Sequence, residues 1–278
     1  MNKRKLNTDS LILHIIFIVV CLIWIYPFLW MLFTSFKTEE EMFASGLRLL
    51  PSQFRFENFI RAWKQANFSV YFWNTVIVTF WGVLVTLFLT ATSGYVLGRY
   101  KFPGKNIFAV LVVAMMFMPK GYTIIPIFEL IRRMGLLDSL AGIVMAQVGG
   151  INTMGVLLFM GAFSQLPKEL EEVAKLDGAN FPRIFWQIML PMVKPIIATV
   201  SIFQFMSSWN DFFTPLVFTL GKPELRTLGV GMYSFIGEYS TDWVGMAAAA
   251  SISLIPIIVM YVCLQRYFIE GVAGAVKG

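Results

Sequence analysis

The sequence predicts an all-α, polytopic membrane protein whose six transmembrane helices form one domain over residues 1–278. The first observation behind this prediction is composition, since 58% of the residues are hydrophobic and only 14% are charged. Soluble domains carry about 25% charged residues. The second observation is that the apolar residues fall into six long runs, and a helix needs about 20 such residues to cross a bilayer. A globular soluble enzyme does not fit this composition.

The six runs give the order of the predicted spans. The first run is too long for the apolar part of a signal peptide, so we expect it to remain as a span that directs insertion. Pro119 and Lys120 interrupt the third run, and two further prolines interrupt the fifth, but such breaks are tolerated inside helix bundles. The predicted spans are residues 11–36, 69–98, 106–127, 139–163, 188–214 and 243–267.

Basic residues concentrate in short segments on one side of these spans. The segments are the N-terminus, the turn at residues 99–105, the loop at residues 167–183 and the C-terminal end. Because short cytoplasmic loops are enriched in Lys and Arg, we expect a multi-pass protein of a bacterial or archaeal plasma membrane with both termini in the cytoplasm. The net charge of +6 is attributed to this topology, and no nucleic-acid partner is expected.

A polar island, defined as residues Pro167–Pro195, separates the fourth and fifth predicted spans. It begins with proline and three glutamates, which suit the first turn and the positive end of a helix. Asp177-Gly178 predicts a turn, so a short surface helix is expected within about residues 167–180. A polar surface between two spans can dock a soluble partner, because the flanking helices can carry its movement across the bilayer.

The second part of the polar island predicts the entry into the fifth span. Asn180 can cap a helix, and Pro182 falls in the first turn of that helix. We expect the helix to continue into the membrane and Pro191 to bend it, since proline removes a backbone donor. In the first helix, the small side chain of Ala174 is expected to let a partner approach the backbone closely.

Six residues of the polar island fit the pattern E-x-A-x3-G-x9-I-x-L-P. They are Glu172, Ala174, Gly178, Ile188, Leu190 and Pro191. This pattern resembles the EAA motif of the permease subunits of binding-protein-dependent ABC importers, with Val173 in place of the usual first alanine. Four other segments resemble the carbohydrate-uptake subclass, and particularly its MalG-like subunits. They are residues 27–37, Asn74-Thr75, Trp209-Asn210-Asp211 and the tail at residues 271–278.

The resemblance implies a type I (MetI-like) ABC importer permease fold and an assembly of several subunits in the lipid bilayer. The implied partners are a second permease, two cytosolic ATPase subunits, an extracytoplasmic solute-binding protein and a sugar substrate. The helix of the polar island would sit in a cleft of the ATPase and transmit its closure. The residues implied in this coupling are Glu171, Glu172, Ala174, Asp177 and Gly178.

Two further segments acquire expected roles from the resemblance. The tail at residues 271–278 can reach between the ATPase subunits. The loop between the last two predicted spans, about residues 220–242, can enter the sugar cleft of the binding protein, where residues 222–226 would help to release sugar. A solvated connection without a ligand role is the alternative for this loop.

The chain lacks the residues that its own catalysis would need. No G-x-x-x-x-G-K-[ST] phosphate-binding loop occurs, so we expect another subunit to hydrolyse ATP and this chain not to be an enzyme. Histidine occurs once, at His14, and the two cysteines, Cys21 and Cys263, lie inside apolar runs. These residues form neither a catalytic set nor a ligand cluster, so no catalytic residue, metal or cofactor is expected.

A translocation path for sugar should present hydrogen-bonding groups for hydroxyls and aromatic rings for the apolar sugar face. An ionisable residue within a span is a functional candidate. For Asp211 the alternatives are pairing with a partner subunit and capping backbone at a helix break. Asn210 either faces the path, with Trp209 stacking or gating beside it, or packs against the partner permease. The predicted path residues are Trp209, Asn210, Asp211, Gln204 and Asn152, with Gln147 and Asn74 as secondary candidates.

Two features predict helix packing. Gly94 and Gly98 form a GxxxG pair, which lets another helix approach closely; packing within the chain is the favoured interpretation. Residues Ile124–Leu137 are apolar on one side and basic on the other, as in a helix at the outer membrane interface or a plain connecting helix.

Other functions remain as alternatives. An ABC permease for a peptide or polyamine would share the polar island but lack the sugar-subclass segments. A secondary transporter would need an ion or proton relay within the membrane, yet Asp211 is nearly the only carboxylate in the predicted spans. An intramembrane enzyme would need a catalytic set that the sequence lacks. We therefore favour a passive permease subunit of an ATP-driven sugar importer.

Overall fold

The computed structural model describes residues 8–44, 46, 48–64, 67–118, 120–149, 152–237 and 240–276. These residues form helices and connecting turns without a β-strand, which confirms the predicted all-α class. The chain divides into two compact units. The first comprises Met1–Ser69 and Gly231–Ile255, and the second comprises Val70–Val230 and Pro256–Gly278.

The described helices of eight residues or more are numbered here in chain order. They are α1 (Thr8–Thr34), α2 (Glu57–Lys64), α3 (Phe68–Arg99), α4 (Lys105–Met115), α5 (Ile124–Arg133), α6 (Leu140–Gly149), α7 (Thr153–Gln165), α8 (Glu169–Leu176), α9 (Phe181–Met192), α10 (Lys194–Trp209) and α11 (Trp243–Val276).

Within the described residues, three helices are each long and apolar enough to cross a membrane. These are α1, α3 and α11, and they match the first, second and sixth predicted spans. The pairs α6 with α7 and α9 with α10 cover most of the fourth and fifth predicted spans, and each pair is either one broken span or a re-entrant loop. The described chain therefore offers three to five candidate spans, against six predicted from the sequence.

The third predicted span, residues 106–127, is shorter than expected. Its helix, α4, has 11 residues and measures about 16 Å at about 1.5 Å per residue, roughly half of the ~30 Å hydrocarbon layer. Turns follow Met115, and a 3₁₀ turn covers Lys120–Thr123 before α5 begins. Pro119, which lies outside the described residues, has no amide hydrogen with which to continue a helix.

In the first unit, aromatic packing fixes the chain just beyond α1. The ring of Phe36 contacts the rings of Phe54, Phe56 and Phe59 at centroid distances of 5.0–5.3 Å. Asn58 Nδ2 donates to the carbonyls of Ser35 and Lys37 at 2.9 and 3.0 Å. By contrast, α1 itself is apolar all round and exposed, as expected for a helix that faces lipid or another subunit.

In the second unit, α3 lies directly against α7. A Cβ added at Gly94 would lie 2.4 Å from Phe159 Cβ, and one added at Gly98 would lie 2.8 Å from the carbonyl oxygen of Met160. No side chain fits between these backbones. The GxxxG pair therefore packs within the chain, as the favoured interpretation predicted.

The bend in the predicted fifth span lies at Val193, two residues after the expected position. Helix α9 contains a π-helical segment, Ile184–Met189, and meets α10 at 82°. Pro191 cannot donate to the carbonyl four residues earlier, which favours a local widening of the helix. Pro195 stands in the first turn of α10, where it needs no donor. The two prolines therefore place the break between them.

Helix α5 covers most of the segment predicted as an interfacial or connecting helix. It ends before Gly135, which adopts a left-handed φ of +70°. Its Ile131 is buried in an apolar cluster with Ile143 and Val144 of α6. This packing shows that α5 rests on α6 and does not decide between the two interpretations.

Candidate functional site

The polar island forms the helix, glycine turn and second helix that the sequence predicted. Gly178 adopts φ +77° after the last turn of α8. Its amide donates to the Lys175 carbonyl at 3.0 Å, and the Ala179 amide donates to the Ala174 carbonyl at 2.9 Å, which is the Schellman pattern of a helix end. The Asn180 side chain then accepts from the Arg183 amide at 3.1 Å and caps α9.

One face of α8 points away from the protein. We call Glu169, Glu172, Val173 and Leu176 the outer face, because they recur at the spacing of one helix side. Leu176 is 87% exposed and Val173 is 56% exposed. Asp177 and Gly178, which follow, are also exposed. The outer face of α8 therefore combines an exposed apolar pair with two exposed carboxylates.

Two of the residues predicted to take part in coupling to the ATPase face inward. Glu171 and Ala174 are 9% and 6% exposed. Ala174 packs in the core of this unit with Phe163 of α7 and Phe185 of α9. Its small side chain allows close packing within the chain, and the closer approach of a partner at this position stays a prediction. Glu171 likewise faces the interior of this unit; its part in coupling stays a prediction and would not come from an exposed side chain.

A buried ion pair anchors the inner side of α8. Glu171 Oε1 accepts hydrogen bonds from Tyr95 Oη at 2.9 Å and from Arg99 Nε at 3.0 Å. The Arg99 side chain is only 4% exposed. Hydrogen bonds between charged groups are stronger than neutral ones, and a guanidinium fixes their direction. In the sequence, Arg99 indicates only topology, because its partner Glu171 lies 72 residues away.

The same guanidinium also satisfies backbone carbonyls at the end of α7. Arg99 Nη1 donates to the carbonyls of Leu166 at 2.6 Å and Phe163 at 3.3 Å. Arg99 Nη2 donates to the Pro167 carbonyl at 3.1 Å. The last carbonyls of a helix have no partner within that helix. Arg99, the last residue of α3, therefore supplies donors to the end of α7 and an ion pair to α8.

A second group of polar side chains meets inside the second unit, beside Gly82 of α3. Gln204 Nε2 donates to Ser208 Oγ at 2.9 Å, and Asn152 Nδ2 donates to Gln204 Oε1 at 3.4 Å. A Cβ at Gly82 would lie 3.0 Å from Ser208 Oγ. Glycine therefore lets the backbone of α3 approach these groups. The sequence pointed to Gln204 and Asn152 but missed the contribution of Gly82.

Asp211 extends this group and caps a helix break. Its Oδ2 accepts from Gln147 Nε2 at 2.9 Å, and its Oδ1 accepts from the Thr214 amide at 3.2 Å. The latter bond satisfies an amide in the first turn of the short helix Phe213–Phe218, whose N-cap residue is Phe212. Capping of backbone at a break, one of the alternatives for Asp211, is thus observed. Gln147 Oε1 is buried and has no hydrogen-bond partner in the described part of the chain.

The other two predicted path residues lie apart from these bonds. Trp209 is 4% exposed, and its ring stacks on Phe205 with centroids 5.4 Å apart and 9° between the planes. Phe72 contacts it edge-on at 5.9 Å. Trp209 therefore packs against rings of its own chain, and its role as a stacking or gating neighbour of Asn210 stays a prediction. Asn210 is exposed, and its Nδ2 donates to the Met206 carbonyl of α10 at 2.9 Å.

Asn74 and Thr75 hold the loop that follows the predicted fifth span. Asn74 Nδ2 donates to the carbonyls of Glu224 and Arg226 at 2.8 and 3.0 Å. Thr75 Oγ1 accepts from the Leu228 amide at 2.8 Å. Asn74 is thus an anchor for this loop, whereas Lys222 at its tip is exposed.

Residues 90–274 match the protein family described as the inner membrane component of binding-protein-dependent transport systems. The chain belongs to this family. This permease is therefore a multi-pass membrane protein, and permease subunits of this family are not enzymes. The matched range includes Arg99, the whole polar island and the polar group beside Gly82.

Individual relatives match this permease over nearly its whole length. The diacetylchitobiose uptake system permease protein NgcG of Streptomyces coelicolor is 33% identical, over 95% of this chain and 86% of that protein. The melibiose/raffinose/stachyose import permease protein MelC of Bacillus subtilis is 32% identical over 100% of both chains. The crystal structure of a bacterial ABC transporter involved in the import of the acidic polysaccharide alginate shares the fold. Its TM-score is 0.81 at 24% identity, covering 96% of this chain and 99% of that one.

Proposed function

We propose that this permease is a subunit of an ATP-driven importer that moves a sugar or oligosaccharide from an extracytoplasmic solute-binding protein into the cytoplasm. The names of its relatives support a carbohydrate substrate. The observation that carries the proposal is the outer face of α8. A passive subunit needs an exposed surface that is held firmly between membrane helices, because an ATPase can move those helices only by binding such a surface.

The outer face specifies the kind of surface that it would meet. A partner surface that fits the outer face would place apolar residues against Leu176 and Val173. It would place basic residues beside Glu169 and Glu172. We assign this surface to a cytosolic ATPase subunit, one of two in the assembly. The chain has no phosphate-binding loop of its own, so ATP hydrolysis belongs to those subunits. The docking residues are Glu172, Leu176, Asp177 and Gly178.

The polar group beside Gly82 is the proposed contribution of this permease to the sugar path. Asn152, Gln204 and Ser208 are neutral hydrogen-bonding side chains, and neutral groups can exchange bonds with sugar hydroxyls without binding ions. Asn152 lies at the break between α6 and α7, and Ser208 lies in the last turn of α10; interrupted helices are common around transport sites. Asn210, which is exposed, would line the same path toward a second permease subunit.

A charge reversal tests the docking surface. Glu172→Lys should weaken recovery of the ATPase with the purified permease by at least about tenfold, equivalent to ~1.4 kcal/mol, and sugar uptake should fall with it. Glu40→Lys is the matched control, since Glu40 is also an exposed glutamate in the first turn of a short helix with three glutamates. Normal ATPase recovery with Glu172→Lys at equal expression would contradict the proposal.

The substrate class needs its own measurement. The assembled complex with its binding protein should hydrolyse ATP faster when an oligosaccharide from a suitable panel is added. Peptides and polyamines belong in the same panel, because the sequence left those solutes as alternatives. Stimulation by a peptide or polyamine, and by none of the sugars, would refute the carbohydrate assignment while leaving the docking surface intact.

A further inference from the structure

The inner side of α8 is tied to two membrane helices at once. Arg99 at the end of α3 holds the carbonyls that close α7 and the carboxylate of Glu171 in the first turn of α8. Tyr95, one turn earlier in α3, donates to the same carboxylate oxygen. The link between α7 and α8 is only three residues, 166–168. One side chain thus spans the whole connection.

The helices to which α8 is tied are themselves in backbone contact. Gly94 and Gly98 bring α3 against α7 without intervening side chains. The rings of Tyr95, Phe163 and Phe185 then fill the space beneath α8, with centroid distances of 5.1–6.3 Å. Packed interiors of this kind transmit a displacement with little compression. What remains to be fixed is the orientation of α8 relative to α3 and α7.

We propose that Arg99 and Glu171 form a latch that makes α8 move as one body with the ends of α3 and α7. A displacement applied to the outer face then reaches the membrane helices instead of being absorbed by rotation in the three-residue link. Both are positioning residues, since neither is exposed enough to touch the ATPase. This proposal rests on the proposed function, because it describes how docking at the same helix would be converted into transport.

Stability alone does not account for the ion pair. A buried ion pair contributes little net stability relative to apolar residues of similar volume, because both charges lose their hydration. What it adds is geometry. A guanidinium that makes four hydrogen bonds in fixed directions holds Glu171 in one register relative to α7, whereas an apolar contact would allow sliding. Arg99→Lys keeps the positive charge but removes the planar guanidinium, so this variant separates the contribution of the charge from that of the fixed geometry.

Two adjacent glutamates provide a matched test. Glu171→Gln removes the charge on the inner side of α8, and Glu172→Gln makes the same change on its outer face. Amide hydrogen exchange of the purified complex should become about tenfold faster across α8 in Glu171→Gln and in Arg99→Lys, because local opening there costs less. Exchange is compared in the permease with and without its ATPase subunits; in the permease alone, where docking cannot contribute, Glu172→Gln should leave exchange within α8 unchanged. Tyr95→Phe, which removes one hydrogen bond and keeps the ring, should give a smaller acceleration.

Transport supplies the second readout. In Glu171→Gln and Arg99→Lys the ATPase should still be recovered, but the sugar imported per ATP hydrolysed should fall at least about fivefold. Unchanged α8 exchange, or wild-type coupling in both variants, would overturn the latch. Failure of Glu171→Gln, Arg99→Lys and Tyr95→Phe alike to assemble would also overturn it, by showing a folding role. If the wild-type complex imported no sugar but α8 exchange were still faster in Glu171→Gln and Arg99→Lys, the latch would stand and the proposed substrate would be rejected.

Discussion

Replacement of Gly94 by alanine tests the contact on which the packing of α3 and α7 depends. The added Cβ would lie 2.4 Å from Phe159 Cβ, 2.9 Å from the Met160 amide nitrogen and 3.0 Å from the Val156 carbonyl oxygen. Carbon atoms in contact are about 3.5–4.0 Å apart. Two of the three neighbours are backbone atoms, which cannot rotate away. The helices would therefore have to separate by roughly an ångström.

The same helix pair provides a control for this substitution. Around Gly161, in α7, the described residues place no atom within 4 Å of an added Cβ apart from the neighbouring backbone of its own helix. Alanine is favoured over glycine inside a helix by about 0.5–1 kcal/mol in both positions. Overpacking costs about 1–3 kcal/mol and applies only to Gly94→Ala. We therefore expect Gly94→Ala to be less stable than Gly161→Ala by about 1–3 kcal/mol.

Thermal unfolding of the two purified variants in the same detergent gives this comparison directly. Gly161→Ala should unfold at or slightly above the temperature of the wild type, and Gly94→Ala should unfold several degrees below it. Because the two substitutions are chemically identical, the difference between their unfolding temperatures reports the space around each site. Equal unfolding temperatures would show that α3 and α7 do not approach as closely as the structure has them.

Two further outcomes are expected. Gly178→Ala should lower the free energy of unfolding by about 1–2 kcal/mol, because alanine is strained at the φ of +77° found there, even though the surrounding space is open. The matched Gly161→Ala variant controls for the added methyl group. An unfolding temperature equal to that of this control would contradict the left-handed turn. Asn210→Leu should leave subunit assembly intact and should reduce the uptake of some oligosaccharides more than that of others. The reason is that Asn210 is exposed and its amide can form hydrogen bonds with hydroxyls. Unchanged uptake of all sugars by an assembled complex would remove Asn210 from the path.

Short-range features of the fold were predictable because their causes lie within a few residues. The Asn180 cap and the Gly178 turn were both identified from neighbouring sequence and occur as expected. Helix α3 lies within one residue of its predicted bounds, since its apolar length sets them. The break in the fifth span was misplaced at Pro191 because two prolines act together, and the break falls between them at Val193.

The sequence alone determined that this chain is a helical membrane protein with a polar island between spans, because composition, apolar length and capping signals are local. It did not determine which side of α8 faces outward. Glu171 and Glu172 are adjacent and chemically identical, and only the return of α3, whose Arg99 is 72 residues from Glu171, turns one inward and leaves the other exposed. The burial of Trp209 against Phe72 likewise depends on a distant helix. Tertiary packing therefore decided which of the candidate residues can meet a partner.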